Sequence, residues 1–378
     1  MQLMPRPDTE RDIETSEVLG LLTAAALALV PVAAQAVAPP DGMAAQLSYL
    51  SYRDYDAKRD RMSVRSPTLW LQAPLGASNS IEASATLDSM SGASPQYLNT
   101  LSGASGLGIH DRRKQGDIKL RHYFDRLVLG VGAAYSDEND YRSRAASLDG
   151  QWLSADQNTT VSFGIGQSND RISATDRDYV DGRRRTTDYL LGLTQVLSPL
   201  DIIQSNLTYS NGGGDFTDHY KPLDLRPDSR HELAWLSRYR RWMPAFDAAL
   251  HVDYRYYRDS WQVHAHSVEL SWYQSLGERW SVRPSLRYYT QSAARFFSNR
   301  FPPRDFDVPY SADGRQGAFG AATVGLKVSR MIDADTRIDL LAERYEQRSG
   351  LRWGGGGTAG LAPVKARWFA LGLSYGFR

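Results

Sequence analysis

RWFALGLSYGFR, Arg367 to Arg378, closes the chain, and its alternation decides the fold. In an extended strand, Phe369, Leu371, Leu373, Tyr375 and Phe377 fall on one face. Trp368, Ala370, Gly372, Ser374 and Gly376 fall on the other. A soluble sandwich would need a second apolar layer over the bulky face. Either the rest of the chain supplies that layer or a bilayer does.

The chain has 378 residues, 42% of them hydrophobic, 23% charged and 11% aromatic. It is long enough for a large core but poor in apolar runs, with a mean hydropathy of −0.47. From Gln46 onward nothing approaches the roughly 20 consecutive apolar residues of a membrane helix. Tyr (21) and Trp (9) together outnumber Phe (11), which favours rings apolar at one end and wet at the other, the chemistry of a membrane interface. The absence of cysteine rules out disulfides and thiolate metal sites. A net charge of +1 gives no case for nucleic acid.

The one long apolar run, Val18 to Val30, has the length of a signal-peptide core, and Ala34-Gln35-Ala36 supplies a cleavage site after Ala36. Residues 1–36 are therefore expected to be a signal peptide, although the acidic residues Asp8, Glu10, Asp12, Glu14 and Glu17 outnumber the basic ones before it. A buried terminal helix is the other reading. Residues 37–45 then form a short periplasmic segment, and 46–378 an outer-membrane β-barrel.

Alternation recurs along the mature chain. Ile81, Ala83, Ala85 and Leu87 alternate with Glu82, Ser84, Thr86 and Asp88. Leu250, Val252, Tyr254 and Tyr256 alternate with His251, Asp253 and Arg255. Connections alternate too. Short ones (Ala73 to Asn79, Asp125-Arg126, Ser154 to Asn158, Ser198 to Asp201, Arg241 to Phe246, Ser275 to Glu278, Ile332 to Asp335) separate long ones (Ser89 to Gly116, Gln167 to Arg185, Asn211 to Asp228, Ser292 to Gly317, Gln347 to Pro363). Tighter turns near Asp54 to Asp60, Asp137 to Asp140 and Arg258 to Ser260 fall on the long side. Short turns at one end and long loops at the other define an all-β, antiparallel up-and-down transmembrane barrel of about sixteen strands, each of roughly ten residues.

DSMSGASP (Asp88 to Pro95), SDENDY (Ser136 to Tyr141), DRDYVD (Asp176 to Asp181), DSW (Asp259 to Trp261) with HAHSVEL behind it, and RYYTQSAARFF (Arg287 to Phe297) resemble a bacterial family labelled a domain of unknown function. The resemblance spans nearly the whole mature chain and implies a Gram-negative outer-membrane barrel. It supplies no activity. Similar proteins tend to be encoded near a small lipoprotein, a thioredoxin-like protein and a flavin transferase, so a lipoprotein or periplasmic thioredoxin-like partner is implied. The barrel reading adds outer-membrane lipid, lipopolysaccharide and the barrel assembly machinery as partners.

Inward positions carry both signs in near balance. They are expected either to pair as a plug of salt bridges or to line a pathway for small polar solutes. Arg287, Tyr289 and Gln291 climb one inward face toward the loop after Ser292, with Arg287 expected to pair with Glu269. Asp253 and Arg255 face the same bore, and Asp88 climbs toward the loop holding Ser91 and Ser94. These nine residues are the candidates for a polar constriction.

His264 and His266 share a strand face but lack a third ligand, so surface histidines at the outer rim are expected rather than a metal site. None of the seven histidines is followed two residues later by serine, the same-face pairing a phospholipase-type site would use. A non-enzymatic channel without cofactor is therefore expected, with a sealed interaction barrel as the alternative and an outer-membrane hydrolase third.

Overall fold

The computed structural model describes residues 38–55, 60–92, 109–174, 179–221, 223–300 and 307–377. The expected signal peptide lies outside them. Sixteen strands are found among the described residues. They are β1 (Met43–Tyr55), β2 (Asp60–Pro74), β3 (Asn79–Gly92), β4 (Ile109–Tyr123), β5 (Leu127–Asp137), β6 (Tyr141–Leu153), β7 (Thr159–Ile172) and β8 (Gly182–Ser198). The second half comprises β9 (Asp201–Gly214), β10 (Ser229–Met243), β11 (Ala248–Asp259), β12 (His264–Leu276), β13 (Trp280–Gln291), β14 (Phe319–Met331), β15 (Thr336–Arg348) and β16 (Val364–Phe377). Each pairs antiparallel with its chain neighbours, and β1 closes on β16, from Met43 opposite Phe377 to Tyr55 opposite Lys365. Closure leaves no edge, which a lipid-embedded sheet requires because lipid offers nothing to an unpaired backbone group.

The final strand behaves as its alternation demands. Phe369 is 57% exposed and Leu371 49%, whereas Trp368 is 3% and Ala366 0% exposed. Leu373 lies between Leu47 and Ile338 on the outward face. Along the other strands Leu69, Leu120, Leu148, Leu191, Leu207, Leu270 and Leu326 continue the same exposed apolar belt. Aromatic residues border it. Tyr189 and Tyr209, and Trp235 and Tyr254, pair on the loop side at ring separations of 6.3 and 6.0 Å. Phe246 and Trp272 pair on the turn side at 6.0 Å.

The turn end carries tight connections such as 199–200, 244–247 and 277–279, the last opening on Gly277 at φ +67, where a side chain would be strained. The other end carries 93–108, 215–228, 292–318 and 349–363. Three details of the sequence reading change. Strands run 11 to 17 residues rather than about ten. The barrel begins at Met43 instead of residue 46, since Met43, Ala44 and Ala45 pair with β16. The loop after Asp88 is shorter than expected, because β3 continues to Gly92 and β4 starts at Ile109. The cause is shared. Ladder pairing persists past the apolar belt through stretches polar on both faces, such as Gly182 to Thr186, where hydrophobic periodicity gives no signal.

The inward surface is not uniformly polar. Tyr52, Val64, Tyr345, Ala366 and Trp368 form a buried apolar cluster on β1, β2, β15 and β16, with Tyr52 stacked on Trp368 at 6.0 Å. It thickens that wall from inside near the loop end, while Arg337 and Asp339 carry charge farther down the inward face of β15.

Candidate functional site

Register assembles the site. Arg238 on β10 is opposite Asp253 on β11, Asp253 opposite Glu269 on β12, and Glu269 opposite Arg287 on β13. The four form one inward row in the order plus, minus, minus, plus. Directly opposed same-face side chains in a sheet start from Cβ atoms about 5 Å apart, so the two carboxylates would repel if unpaired. Each is engaged from its far side. Arg287 Nε donates to Glu269 Oε2 at 2.6 Å, and Ser271 donates to the other oxygen at 3.2 Å. Arg238 Nε lies 3.4 Å from Asp253 Oδ2, to which Arg240 also donates at 3.1 Å. Arg240 was not singled out in the sequence. Its same-face position two residues beyond Arg238 was the available signal.

One step toward the loops is Arg255, opposite Leu236 and Ser267. It is exposed, faces the bore and pairs with no carboxylate among the described residues. By contrast Lys119 meets Asp149 at 2.7 Å, Arg121 meets Glu82 at 2.6 Å and Arg184 meets Asp170 at 3.0 Å. Among the described side chains, the inward face of β10 to β13 carries six arginines (Arg230, Arg238, Arg240, Arg255, Arg283, Arg287) against four carboxylates (Glu232, Asp253, Asp259, Glu269). The inward face of β3 to β8 carries six carboxylates (Glu82, Asp88, Asp117, Asp149, Asp170, Asp188) against four bases (Arg113, Lys119, Arg121, Arg184). One wall is net positive and the other net negative, which sets a field across the bore.

Tyr289 and Gln291 continue the β13 face. Tyr289 donates to Gln291 at 2.6 Å, and buried Gln291 donates to the carbonyls of Arg315 and Gly317 at 2.9 and 2.7 Å. The end of the 292–318 loop therefore lies on the bore side of β13. A clamp absent from the sequence reading fixes that loop. Fully buried Asp313 meets Lys221 at 2.8 Å, Arg226 at 3.0 Å and Arg315 at 2.8 Å, and Leu225 and Tyr310 exchange two backbone bonds at 2.8 Å. Burial by itself would raise the Asp313 carboxyl, but these cations outweigh it and hold it well below the usual carboxylate range. Trp261 locks the β11–β12 turn beneath the clamp. Its Nε1 donates to Ser229 O at 3.0 Å, Arg230 lies 4.1 Å over its ring, and Phe216 and Phe296 meet it edge-on.

The remaining candidates lie apart. Asp88 accepts from Arg113 Nε at 2.6 Å on the β3–β4 wall and does not join the Arg287 row. Ser91 pairs through its backbone with Ser63 and His110, and its side chain lies outside the described residues, as does all of Ser94. His264 and His266 are exposed on the outward face, accompanied by Tyr256 and Tyr254 at 3.2 and 2.9 Å.

A closed antiparallel barrel with an apolar outer belt, a polar charge-sorted bore and asymmetric ends is a transmembrane β-barrel of the outer-membrane type. The chain belongs to the family described as Protein of unknown function (DUF3570), whose model matches residues 19–105, 98–181 and 175–370. No curated protein matches its sequence. Among solved structures it is similar to the siderophore receptor PirA from Pseudomonas aeruginosa, at 12% identity and a TM-score of 0.45, over 82% of this chain and 57% of that one. It is also similar to OccD3 (OpdP) from P. aeruginosa, at 10% identity and a TM-score of 0.45, covering 94% of this chain and 98% of the other. A third is a bacterial polysaccharide outer membrane secretin, at 10% identity and a TM-score of 0.49, covering 88% and 98%. The chain spans little more than half the length of the PirA receptors it matches. At these identities the likeness is one of fold.

Proposed function

We propose that this protein is an outer-membrane channel for small polar solutes that works without catalysis, with its β10–β13 wall as the contact surface for anionic groups. The observation that carries the reading is Arg255, an exposed inward guanidinium with no carboxylate partner among the described residues, beside a row in which every other charge is engaged. A barrel sealed by its own salt bridges would bury and pair that charge, because a buried cation without a partner loses hydration uncompensated, whereas Arg255 keeps its solvent exposure. The opposed walls support the same reading, since a transverse field orients dipolar solutes.

Planar-bilayer recording of the refolded protein tests it. A steady open current with anion preference, reversed or reduced by Arg255→Glu, is expected. Absence of any current, or turnover of phospholipid or peptide by the purified protein, would contradict it. The outer-membrane location is tested by fractionation, and processing by an N-terminus at or near Val37.

One observation favours a second reading, a sealed barrel acting with a periplasmic or lipoprotein partner. The 215–228 and 292–318 segments are stitched together through Asp313, and the end of the latter turns inward on Gln291. No current in the intact protein, with current restored by deleting residues 295–314, would favour it.

A further inference from the structure

Two outward positions at the loop end of the β13–β14 pair are covered. Thr290 and Gly320 are register partners on the outer face. Thr290 is only 7% exposed and Gly320 is buried, whereas Leu286 and Val324 on the same face are 52% and 60% exposed. The cover is the start of the β15–β16 connection. Ser349 to Leu351 form a 3-10 turn that lies on Gly320, where an added Cβ would collide with Leu351 O. Tyr288 Oη donates to Leu351 O at 2.5 Å, Arg352 Nε to Gln291 O at 3.2 Å, and the Trp353 N–H to Thr290 Oγ1 at 3.1 Å. Gly354, Gly355 and Gly356, all at positive φ, then reverse the chain. Thr358 returns to Ala318 through two hydrogen bonds at 2.8 and 2.9 Å, and beyond it Leu361 and Ala362 pack on the inward cluster of Tyr52 and Trp368. The connection straddles the rim, with 349–353 outside and 361–362 inside.

The outer part presents one large side chain. Trp353 is 77% exposed, and its ring stands 6.4 Å from that of Tyr288, below which Leu286 and Val324 continue the apolar belt. At the turn end of the same strand Trp280 is also outward and exposed. From Trp280 to Tyr288 the strand advances about 26 Å at roughly 3.3 Å per residue, or about 20 Å of depth at a tilt near 40°. That approaches the height of the apolar band between the two aromatic girdles of a membrane barrel. Trp353 therefore stands at the outer edge of the band. An indole, apolar over its faces and polar at its N–H, is suited to headgroup level.

We propose that residues 349–353 are a strap that docks on the outer-leaflet lipid interface, with the Trp353 indole as its anchor. Continuity with the belt commits the occupant to lipid. The seated indole holds the strap, and through Thr358 the strap holds Ala318 at the end of the 292–318 loop. The proposal rests on the membrane placement of the barrel but not on whether the bore is open.

The chain has no cysteine, so Trp353→Cys carries a single environment-sensitive NBD label. The labelled protein is refolded into phosphatidylcholine vesicles containing doxyl lipids, with heat-modifiability on gels reporting folding. A lipid spin-labelled near its headgroup should quench the 353 label more than one spin-labelled near the chain end, and aqueous iodide should quench it little. Val308→Cys, on the 292–318 loop, should show the reverse: iodide quenches and the doxyl lipids do not. Adding Gly320→Val, which displaces the strap, should return the 353 label to iodide. Lipid quenching that persists there would reduce the effect to partition of the dye and overturn the proposal. Iodide access to the 353 label in a folded barrel would also overturn it, as would protection from iodide without lipid quenching, the sign of a covering protein. If the labelled variants do not fold, native fluorescence decides: Trp353→Phe should remove an emission component that brominated lipid quenches, and no change overturns the strap. Trp280→Cys keeps the two readings apart. If its label also escapes lipid, the membrane placement fails; if it is quenched while the 353 label is not, the strap alone fails.

Discussion

Arg287 Nε lies 2.6 Å from Glu269 Oε2 across the β12–β13 pair, and this contact lets Glu269 stand beside Asp253, its register partner on β11. Removing the guanidinium leaves two neighbouring carboxylates with Arg238 and Arg240 held at Asp253 alone. Arg287→Ala should therefore shift the reversal potential toward cations while the protein still folds, and Arg287→Lys should restore most of the selectivity. A variant with wild-type selectivity would remove this row from the permeation path.

The outward face should tolerate no charge near its middle. Leu373 pairs laterally with Leu47 and Ile338, so Leu373→Arg should cost about 2–4 kcal/mol in denaturant unfolding from vesicles. Ser374→Ala, on the opposite face of the same strand, should cost much less. Equal costs would contradict the assignment of faces.

Gln291 donates two bonds that hold the end of the 292–318 loop inward. Gln291→Ala strands two carbonyls, at about 1–3 kcal/mol for unsatisfied buried groups. The loss should appear as faster hydrogen exchange and proteolysis within residues 292–318, with the barrel's own unfolding midpoint nearly unchanged.

Asp313 gives the loop clamp a pH dependence. Its folded pKa lies below the unfolded value, so the stabilisation is fully present above the ordinary carboxylate range and fades as pH falls from there toward the folded pKa. Protease resistance of the 215–228 and 292–318 segments should be flat from pH 5 to 8 and decline only in stronger acid. Asp313→Asn should make them labile at neutral pH, because Lys221, Arg226 and Arg315 then lose the one carboxylate all three contact and are left with Asp218 and Asp224. A clamp loosening near pH 6 would implicate a group other than Asp313.

Much of the barrel was legible in sequence because alternation and connection length are local. Phe369, Leu371 and Leu373 report their shared face by spacing alone, and the alternation of short turns with long loops gives the up-and-down order. The Arg287–Glu269 contact was legible for the same reason, since successive antiparallel strands place same-face residues side by side. What spacing cannot give is register between distant segments. Arg53 meets Arg367 only because the sheet closes β1 on β16, and Asp313 meets Lys221 and Arg226 only because two long loops fold over the same mouth. The free state of Arg255 likewise depends on which carboxylates the three-dimensional register leaves for its neighbours. Strand identity and facing follow from local chemistry; which charges meet a partner is decided by closure of the barrel and by the packing of its loops.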